Sequence, residues 1–500
     1  MHRRTPLALT ALVAAAVLSL SACTASTTPT PTGSPDADSS VVVRLALEPT
    51  NLDIRQTSGS ALDQILIDNL YQGLVARTPE QEIVPALASD WTVSDDRLTY
   101  TFTLREGVTF HDGQPLTPED VVYSLTQHRD NAGWVDASTL ANVTGVTADG
   151  QKITLTLSQP DSQLLWNLSG RAGIILKEGD SVDYQTAANG TGPFTLERWT
   201  RGDNITFARN PAYWGTPAKA AEVVFDYIPD NQAALNAALA GEVDVVTGFD
   251  ANLKTQIEAN GDFSLVVGDS TDKGTLAFNQ TSGPLADKRV RQAIRQAIDH
   301  DAFVEALGAG KTMYGPIPSL DPGYEDLSEV APYDPDAAKK LLADAGASDT
   351  TLTLTIPSFY PATISQLLVS DLNAVGITLK VDSVDFPTWL KNVYMNHDYE
   401  LSFVLHTEAR DFINWTNPEY YFTYDNPQVT ELYAQARAAT TDEEAAKLLA
   451  QAARIVSDDA AADWLYNGAS VVAVGTNVSG FPSVNVNERL NVTELGKSDG

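Results

Sequence analysis

The chain has 500 residues, 43 % of them hydrophobic, and its 65 acidic and 32 basic residues give a formal net charge of −33. This length and composition predict a folded protein of about three domains, at roughly 150 residues per domain, and the negative charge argues against a nucleic-acid partner because it repels a phosphate backbone. The sequence holds one cysteine, which excludes an internal disulfide, so stability must come from packing.

The first residues are typical of an export signal. Arg3 and Arg4 precede an apolar run from Leu7 to Leu20, which is too short for an ordinary transmembrane span. The run ends in the letters LSAC, which resemble a bacterial lipobox and predict that Cys23 is lipidated after cleavage. The alternative is a plain secretory peptide with a chance cysteine. No second apolar stretch of spanning length follows, so we expect a protein that is lipid-anchored on the extracytoplasmic face of the cell membrane.

The segment after the cysteine has a strongly biased composition. Residues 24–40 are all Thr, Ser, Pro, Gly, Asp and Ala, without apolar periodicity. Such a segment cannot bury a core, and it predicts a disordered, extended tether.

The region that follows shows the patterns of a mixed α+β unit. Residues 98–104 alternate apolar and polar side chains, as a half-buried strand does. Thr117 and Asp120 have the spacing of a capping box at the start of a helix. The Asp-Gly pair at 149–150 stands between two alternating runs and predicts a tight hairpin. Residues 80–185 are therefore predicted to be α+β.

Two later regions place a whole helix between two strands. Residues 223–246 contain one such β-α-β pattern, with Asp230 as the helix cap and Gly241 as its stop. Residues 351–384 contain the second, with a helix that ends at Gly376. Strands joined by a helical crossover pair in parallel, so the sequence predicts two α/β lobes.

Enzyme motifs are missing from the sequence. There is no G-x-S-x-G elbow and no H-E-x-x-H pair, and no histidine has metal-ligand spacing to another histidine or a cysteine. The letters GKT at 310–312 resemble the end of a phosphate loop, but Glu305 stands where its first glycine belongs. We therefore expect no catalysis, metal or cofactor. A pair of acids for glycoside chemistry among the 65 acidic residues is not excluded, which leaves an exported cell-wall hydrolase as the alternative class.

Many stretches in a fixed order resemble one protein family, the bacterial extracellular solute-binding proteins of family 5, which serve ATP-driven importers for oligopeptides, dipeptides and nickel. The resemblance extends from about residue 41 to 478, and the order and spacing of the stretches carry it. They are Leu52-Asp53, LYQGL (70–74), VPALASDWTVSDDRLTYTFTLREGVTFHDGQPLTPEDVVYSL (84–125), NGTGPFTLERW (189–199), ARNPAYWG (208–215), AALAGEVDVV (237–246), LAFNQTSGPLADKRVRQAIRQAID (276–299), GPIP (315–318), YDPDAAKKLLADAG (333–346) and VGITLKV (375–381).

The resemblance implies a bilobal periplasmic-binding-protein-like α/β fold, in which two α/β lobes are joined by a hinge and an α+β domain is inserted. The hinge is expected near residues 273 and 472. The implied parts are a signal peptide and lipobox (1–23), the tether (24–40), lobe I (41–79, 186–273 and 472–500), the inserted domain (80–185) and lobe II (274–471).

The resemblance also implies a function. The protein is expected to be a monomeric receptor that captures short peptides between its lobes and delivers them, in a closed form, to the membrane subunits of an ABC permease. Cello-oligosaccharides and nickel chelates are the alternative ligands within the same fold.

Peptide-binding members resemble strand-addition receptors in which an acidic side chain takes the ligand's α-ammonium. In this sequence the corresponding acid follows the strand at 401–405, where the family's Gly-Trp-x-x-Asp pattern is not kept. His406 stands in the usual tryptophan region, and the candidate acids are Asp411, which we prefer, and Glu408.

The loop that carries these acids is rich in aromatic and charged residues, which favours a ligand cleft. Arg410 can meet a ligand carboxylate and Trp415 can stack on a side chain or a sugar ring; the alternative is an aromatic-cored loop with a surface ion pair. In lobe I, the resemblance points to a ligand-facing loop at Thr57, Ser58 and Gly59, for which a plain polar turn is an equally good interpretation.

Overall fold

The computed structural model describes residues 36–57, 59–281, 283–484 and 489–498. The predicted signal peptide, Cys23, most of the tether and Ser58 lie outside the described residues. No helix in the described ranges is long and apolar enough to cross a membrane.

The described residues form eighteen strands. They are β1 (Ser40–Leu45), β2 (Val75–Arg77), β3 (Ile83–Pro85), β4 (Ala88–Val93), β5 (Thr99–Leu104), β6 (Val143–Asp149), β7 (Lys152–Leu157), β8 (Phe194–Thr200), β9 (Asn204–Arg209), β10 (Glu222–Tyr227), β11 (Val245–Val246), β12 (Phe263–Phe278), β13 (Thr351–Pro357), β14 (Thr378–Val384), β15 (Leu401–His406), β16 (Ala462–Gly475), β17 (Val478–Ser479) and β18 (Gly496–Lys497).

The same ranges contain twelve α-helices. They are α1 (Ser60–Leu66), α2 (Pro118–Asp130), α3 (Leu164–Leu168), α4 (Asn231–Leu239), α5 (Lys254–Glu258), α6 (Lys288–Ala297), α7 (His300–Leu307), α8 (Pro335–Asp344), α9 (Ala362–Ala374), α10 (Phe386–Trp389), α11 (Pro427–Ala438) and α12 (Asp442–Asp458). Short 3-10 turns and one π-helical turn complete the helical structure: Ala137–Leu140, Arg171–Gly173, Ala251–Leu253, Gly283–Ala286, Asp411–Thr416 and, as the π turn, Leu390–Met395.

One ten-stranded sheet runs through the molecule in the order β14-β13-β15-β12-β16-β11-β1-β10-β9-β8. The strands in the ranges predicted for lobe I, β1 and β8 to β11, lie towards one end of this sheet, and those in the range predicted for lobe II, β13 to β15, lie at the other end. The long strands β12 and β16 pair antiparallel between the two lobes. Their register shifts between Asp269 and Lys273 and again at Gly274, so the ladder is irregular where the chain passes from one lobe to the other. The predicted crossing points near 273 and 472 lie on these two strands.

The elements that were predicted from local sequence signals are present in the structure. In β5 the buried and half-buried residues alternate, and Thr117 and Asp120 make both bonds of the capping box before α2. The Asp149–Gly150 turn joins β6 and β7 into a hairpin. These strands belong to a separate sheet, β4-β5-β7-β6, which packs its own apolar core with α2 and α3. We call this unit the inserted domain.

Both predicted crossover units pair in parallel. The strands β13 and β14 are direct parallel neighbours around α9, and β10 and β11 both pair in parallel with β1, which lies between them. The helix α4 begins after the Asp230 cap, whose side chain accepts from the Ala233 amide, and the chain leaves it at Gly241 with a φ of 75°. Glycine suits that left-handed position because it has no Cβ.

Candidate functional site

The strand β15 ends at His406, beside the ends of the parallel strands β13 and β14 in the second lobe. His406 is 8 % exposed. Its Nε2 lies 2.7 Å from the hydroxyl of Tyr421, and the two rings are stacked. Burial lowers the pKa of this histidine, against the opposing effect of Asp411. The tyrosine therefore holds the ring in one orientation.

Three of the predicted site residues come together at this strand end. One ligand atom from each of His406, Glu408 and Asp411 lies within 4.8 Å of the others; we call these three residues the acid cluster. Glu408 is exposed, whereas the side chain of Asp411 is only 12 % exposed. An imidazole and two carboxylates form a donor set that can hold a divalent metal ion as well as accept an ammonium group.

A buried lysine adjoins the acid cluster and was missed in the sequence. The side chain of Lys273, on β12, is 3 % exposed, and its Nζ lies 3.3 Å from Asp411 Oδ1. It also donates to the carbonyl oxygens of Glu408 at 2.7 Å and Thr271 at 3.2 Å. Burial raises the pKa of Asp411, and Lys273 and then His406 oppose that shift. The charge of Asp411 is thus offset within the protein, while Glu408 presents an exposed carboxylate.

Arg410 connects the second lobe to the inserted domain. It has a left-handed backbone, with a φ of 56°, and its amide donates to Asp321 Oδ2 at 2.6 Å. Its Nη1 donates to Gln163 Oε1 at 3.2 Å, and its guanidinium lies 3.8 Å from the ring centroid of Trp166. Burial lowers the pKa of Arg410 to about 10.

A second guanidinium lies against the same indole. Arg77, at the end of β2, has its guanidinium carbon 3.7 Å from the Trp166 ring centroid. Two guanidiniums this close to one centroid must lie on opposite faces of the ring, because they would clash on one face. The Trp166 ring is therefore sandwiched between the guanidinium groups of Arg77 and Arg410. The sequence patterns did not indicate this contact. The only local signal is a tryptophan in the apolar helix α3.

The inserted domain makes further polar contacts with the second lobe. The carboxylate of Asp161 is 1 % exposed and pairs with the guanidinium of Arg437, whose Nε donates at 2.9 Å. Ser162 donates its amide to the carbonyl oxygen of Arg437 at 2.8 Å and its hydroxyl to that of Ala436 at 3.0 Å. Arg97 donates to the carbonyl oxygen of Thr440 at 2.9 Å. These contacts join the inserted domain to the second lobe.

Trp415 lies in an aromatic core. It is 3 % exposed, its ring stacks on Phe422 with centroids 4.1 Å apart, and it also meets Tyr424 and Trp464 edge-on. The loop that carries it contains a 3-10 turn, Asp411–Thr416. In this arrangement the tryptophan packs the loop that carries the acid cluster, and its stacking on a ligand stays a prediction.

The predicted loop of the first lobe is held by contacts within the loop and by Arg171 of the inserted domain. Thr57 donates its hydroxyl to Asn51 Oδ1 at 2.7 Å, and its carbonyl oxygen accepts from Arg171 Nη1 at 2.6 Å. Gly59 has a φ of 123° and caps α1, with its carbonyl oxygen accepting from the Leu62 amide. A ligand contact of Thr57, Ser58 or Gly59 stays a prediction.

Comparisons with known proteins match this architecture. The family model described as "Bacterial extracellular solute-binding proteins, family 5 Middle" matches residues 82–428. Protein XP55 of Streptomyces lividans is 30 % identical over 415 residues, covering 77 % of this chain and 74 % of its own. Di/tripeptide-binding protein 2 of Pseudomonas aeruginosa is 27 % identical over 374 residues, covering 67 % of this chain and 70 % of its own.

A solved structure is similar over nearly the whole chain. The ABC transporter-associated periplasmic binding protein DppA from Helicobacter pylori, in complex with the peptide STSA, superposes with a TM-score of 0.79 at 23 % identity, covering 92 % of this chain and 98 % of DppA. The predicted family resemblance and the predicted bilobal α/β fold are therefore confirmed.

Proposed function

Because this chain belongs to the bacterial extracellular solute-binding proteins of family 5, we propose that it is a receptor for short peptides. It is lipid-anchored at Cys23 on the extracytoplasmic face of the membrane, acts as a monomer without catalysis, and delivers its ligand to an ABC permease. The peptide lies between the two lobes. A relative named for di- and tripeptides and a structural neighbour in complex with the peptide STSA support the ligand class.

The observation that carries this proposal is the acid cluster at the end of β15. Glu408 and Asp411 place two carboxylates near the contact between the second lobe and the inserted domain. A peptide's α-ammonium has three N–H donors, which match such a pair of acceptors. The exposure of Glu408 supports direct contact with the ligand, and the Lys273 contact of Asp411 supports a fixed geometry for the site.

Closure is the step that connects binding to delivery. The ion pair between Asp161 and Arg437 and the Arg410–Trp166 contact form only when the inserted domain meets the second lobe. A ligand held between the lobes adds contacts to the closed form alone, and this differential affinity shifts the population toward it. The permease then distinguishes loaded from empty receptors by their shape.

One observation favours a second ligand class. The imidazole and two carboxylates of the acid cluster are groups that can coordinate the metal ion of a chelate. Cello-oligosaccharides have weaker support, since Trp415, the predicted sugar-stacking ring, is buried against Phe422.

Thermal unfolding of the purified protein with separate pools of di- to tetrapeptides, cello-oligosaccharides and nickel chelates distinguishes these classes. We expect the midpoint to rise with peptides, by an amount set by ligand concentration relative to Kd. Stabilisation by sugars or chelates alone would contradict the peptide proposal. Turnover of cell-wall fragments by the pure protein would instead support the hydrolase alternative.

A further inference from the structure

A second charged site lies apart from the acid cluster, between the first lobe and the inserted domain. It is a cavity of about 110 Å³ whose lining includes three arginines, Arg77, Arg171 and Arg489, two acids, Asp63 and Asp136, and Trp166. A single water needs about 10 to 15 Å³ of such volume. The cavity therefore has room for several waters or for a small ion.

Buried guanidinium nitrogens without a hydrogen-bond partner are concentrated at this cavity. In the described part of the chain they include Nε of Arg77, Nε of Arg171, and Nε and Nη1 of Arg489. The Arg171 side chain is 4 % exposed, so its Nε cannot turn to bulk water. A buried N–H that lacks an acceptor costs about 1 to 3 kcal/mol, more for a charged group, so an acceptor that reached these groups would be favoured.

The two carboxylates in the cavity lining, and Asp68 beside Arg489, do not meet this need. Asp63 is paired with Arg171 through Nη2 at 2.5 Å, and Asp68 is paired with Arg489 through Nη2 at 2.5 Å. Asp136 lies 3.7 Å from Arg171 Nε, which is too far for a hydrogen bond, and it is half exposed. These pairs leave Nε of Arg77, Nε of Arg171, and Nε and Nη1 of Arg489 without an acceptor.

Arg77 is the least compensated of the three cations. It takes part in no ion pair among the described residues, and its only side-chain hydrogen bond is a long one of 3.4 Å to Gln81. Burial lowers its pKa well below the usual range, and the nearby Arg489 lowers it further. Arg410 on the other face of Trp166 adds a like charge. An anion at Arg77 would offset this repulsion.

We propose that this cavity, lined by Arg77, Arg171 and Arg489, is a binding site for an oxyanion, either a carboxylate or a tetrahedral anion such as phosphate. Arginine suits this role because its planar fork can donate two parallel hydrogen bonds to two oxygens. Arg77 and Arg489 also line a neighbouring open pocket of about 700 Å³.

The site also has a consequence for closure. Neutralising Arg77 weakens its repulsion of Arg410, which reaches Trp166 only when the inserted domain meets the second lobe. Oxyanion binding and closure therefore favour each other, and by linkage a closed receptor binds the anion more tightly.

Equilibrium dialysis of labelled phosphate against the full chain tests the site without any variant. We expect saturable binding that unlabelled sulfate and acetate compete away and that chloride at the same ionic strength does not. Absence of saturable phosphate and acetate binding would overturn the proposal.

Two matched variants locate the binding. Arg77→Gln removes a cavity guanidinium, whereas Arg201→Gln removes one that lies over a different indole, that of Trp199, away from the cavity. We expect phosphate binding to weaken roughly tenfold or more in the first and to stay unchanged in the second. Equal binding by both variants would contradict the assignment. If Arg77→Gln does not fold, Arg77→Lys is the second variant. It keeps the positive charge but not the planar guanidinium group, and we expect an intermediate loss of phosphate affinity.

A further arm distinguishes the source of the oxyanion. If it is the C-terminal carboxylate of a peptide ligand, a free-acid peptide displaces labelled phosphate and its C-terminal amide does not. If it is a free inorganic anion, phosphate stays bound with either peptide. Both results support an oxyanion site. The dialysis measures phosphate binding directly, so it tests the site even if no peptide binds.

Discussion

The acid cluster and the arginine cavity lie on either side of the contact between Trp166 and Arg410, and they differ in how their charges are balanced. At the acid cluster, Lys273 supplies a buried ammonium to Asp411 from within the protein. At the cavity, one or more guanidinium nitrogens of each of Arg77, Arg171 and Arg489 lack an acceptor. A site whose charges are balanced by its own residues is preorganised. A site with unsatisfied donors can instead bind an acceptor from outside the protein.

Removing the internal cation of the acid cluster should have the largest effect. Lys273→Met leaves Asp411 buried without its partner, and breaking a buried pair in this way costs about 3 to 5 kcal/mol. Urea unfolding would measure the loss of stability. Lys288→Met is the matched control, because this lysine is 45 % exposed in its pair with Asp459, and we expect it to cost less than about 1 kcal/mol.

The double variant Lys273→Met with Asp411→Asn identifies the cause. It removes the uncompensated charge as well, so it should recover much of the lost stability. Additive losses from the two substitutions would show that Lys273 stabilises the fold by packing alone. The claim that Lys273 balances the charge of the acid cluster would then be contradicted.

A smaller effect is expected at the boundary between the two sites. Asp161→Asn removes the charge that Arg437 meets across the interface, and a hydrogen bond to a charged group is worth about 2 kcal/mol. The open form should gain population, which energy transfer between labels on the inserted domain and the second lobe would detect. Asp442→Asn is the control, since its carboxylate is 90 % exposed beside Arg97 and should change little. An unchanged distance in Asp161→Asn would mean that this pair does not hold the closed form.

The sequence predicts the elements better than the site. Strand β5 follows from its alternation and α2 from its capping box, because these signals act between residues a few positions apart. The crossover units follow for the same reason, since a strand, a helix and a strand in succession leave few ways to pair.

The contacts of the site join distant positions, and no local pattern encodes them. Lys273 and Glu408 are 135 positions apart, and Arg410 and Gln163 are 247 apart. The loop after β15 was found through its family resemblance and its aromatic content. However, that content serves mainly to pack a core around Trp415, which composition could not distinguish from a ligand surface.

The central claim is that the acid cluster receives a peptide's α-ammonium, and calorimetry with one short peptide in free and N-acetylated forms tests it most directly. We predict that the free form binds at least about tenfold more tightly. Glu408→Gln should remove most of that difference, and Asp411→Asn part of it. Equal affinity of the two forms for the unaltered protein would contradict the claim.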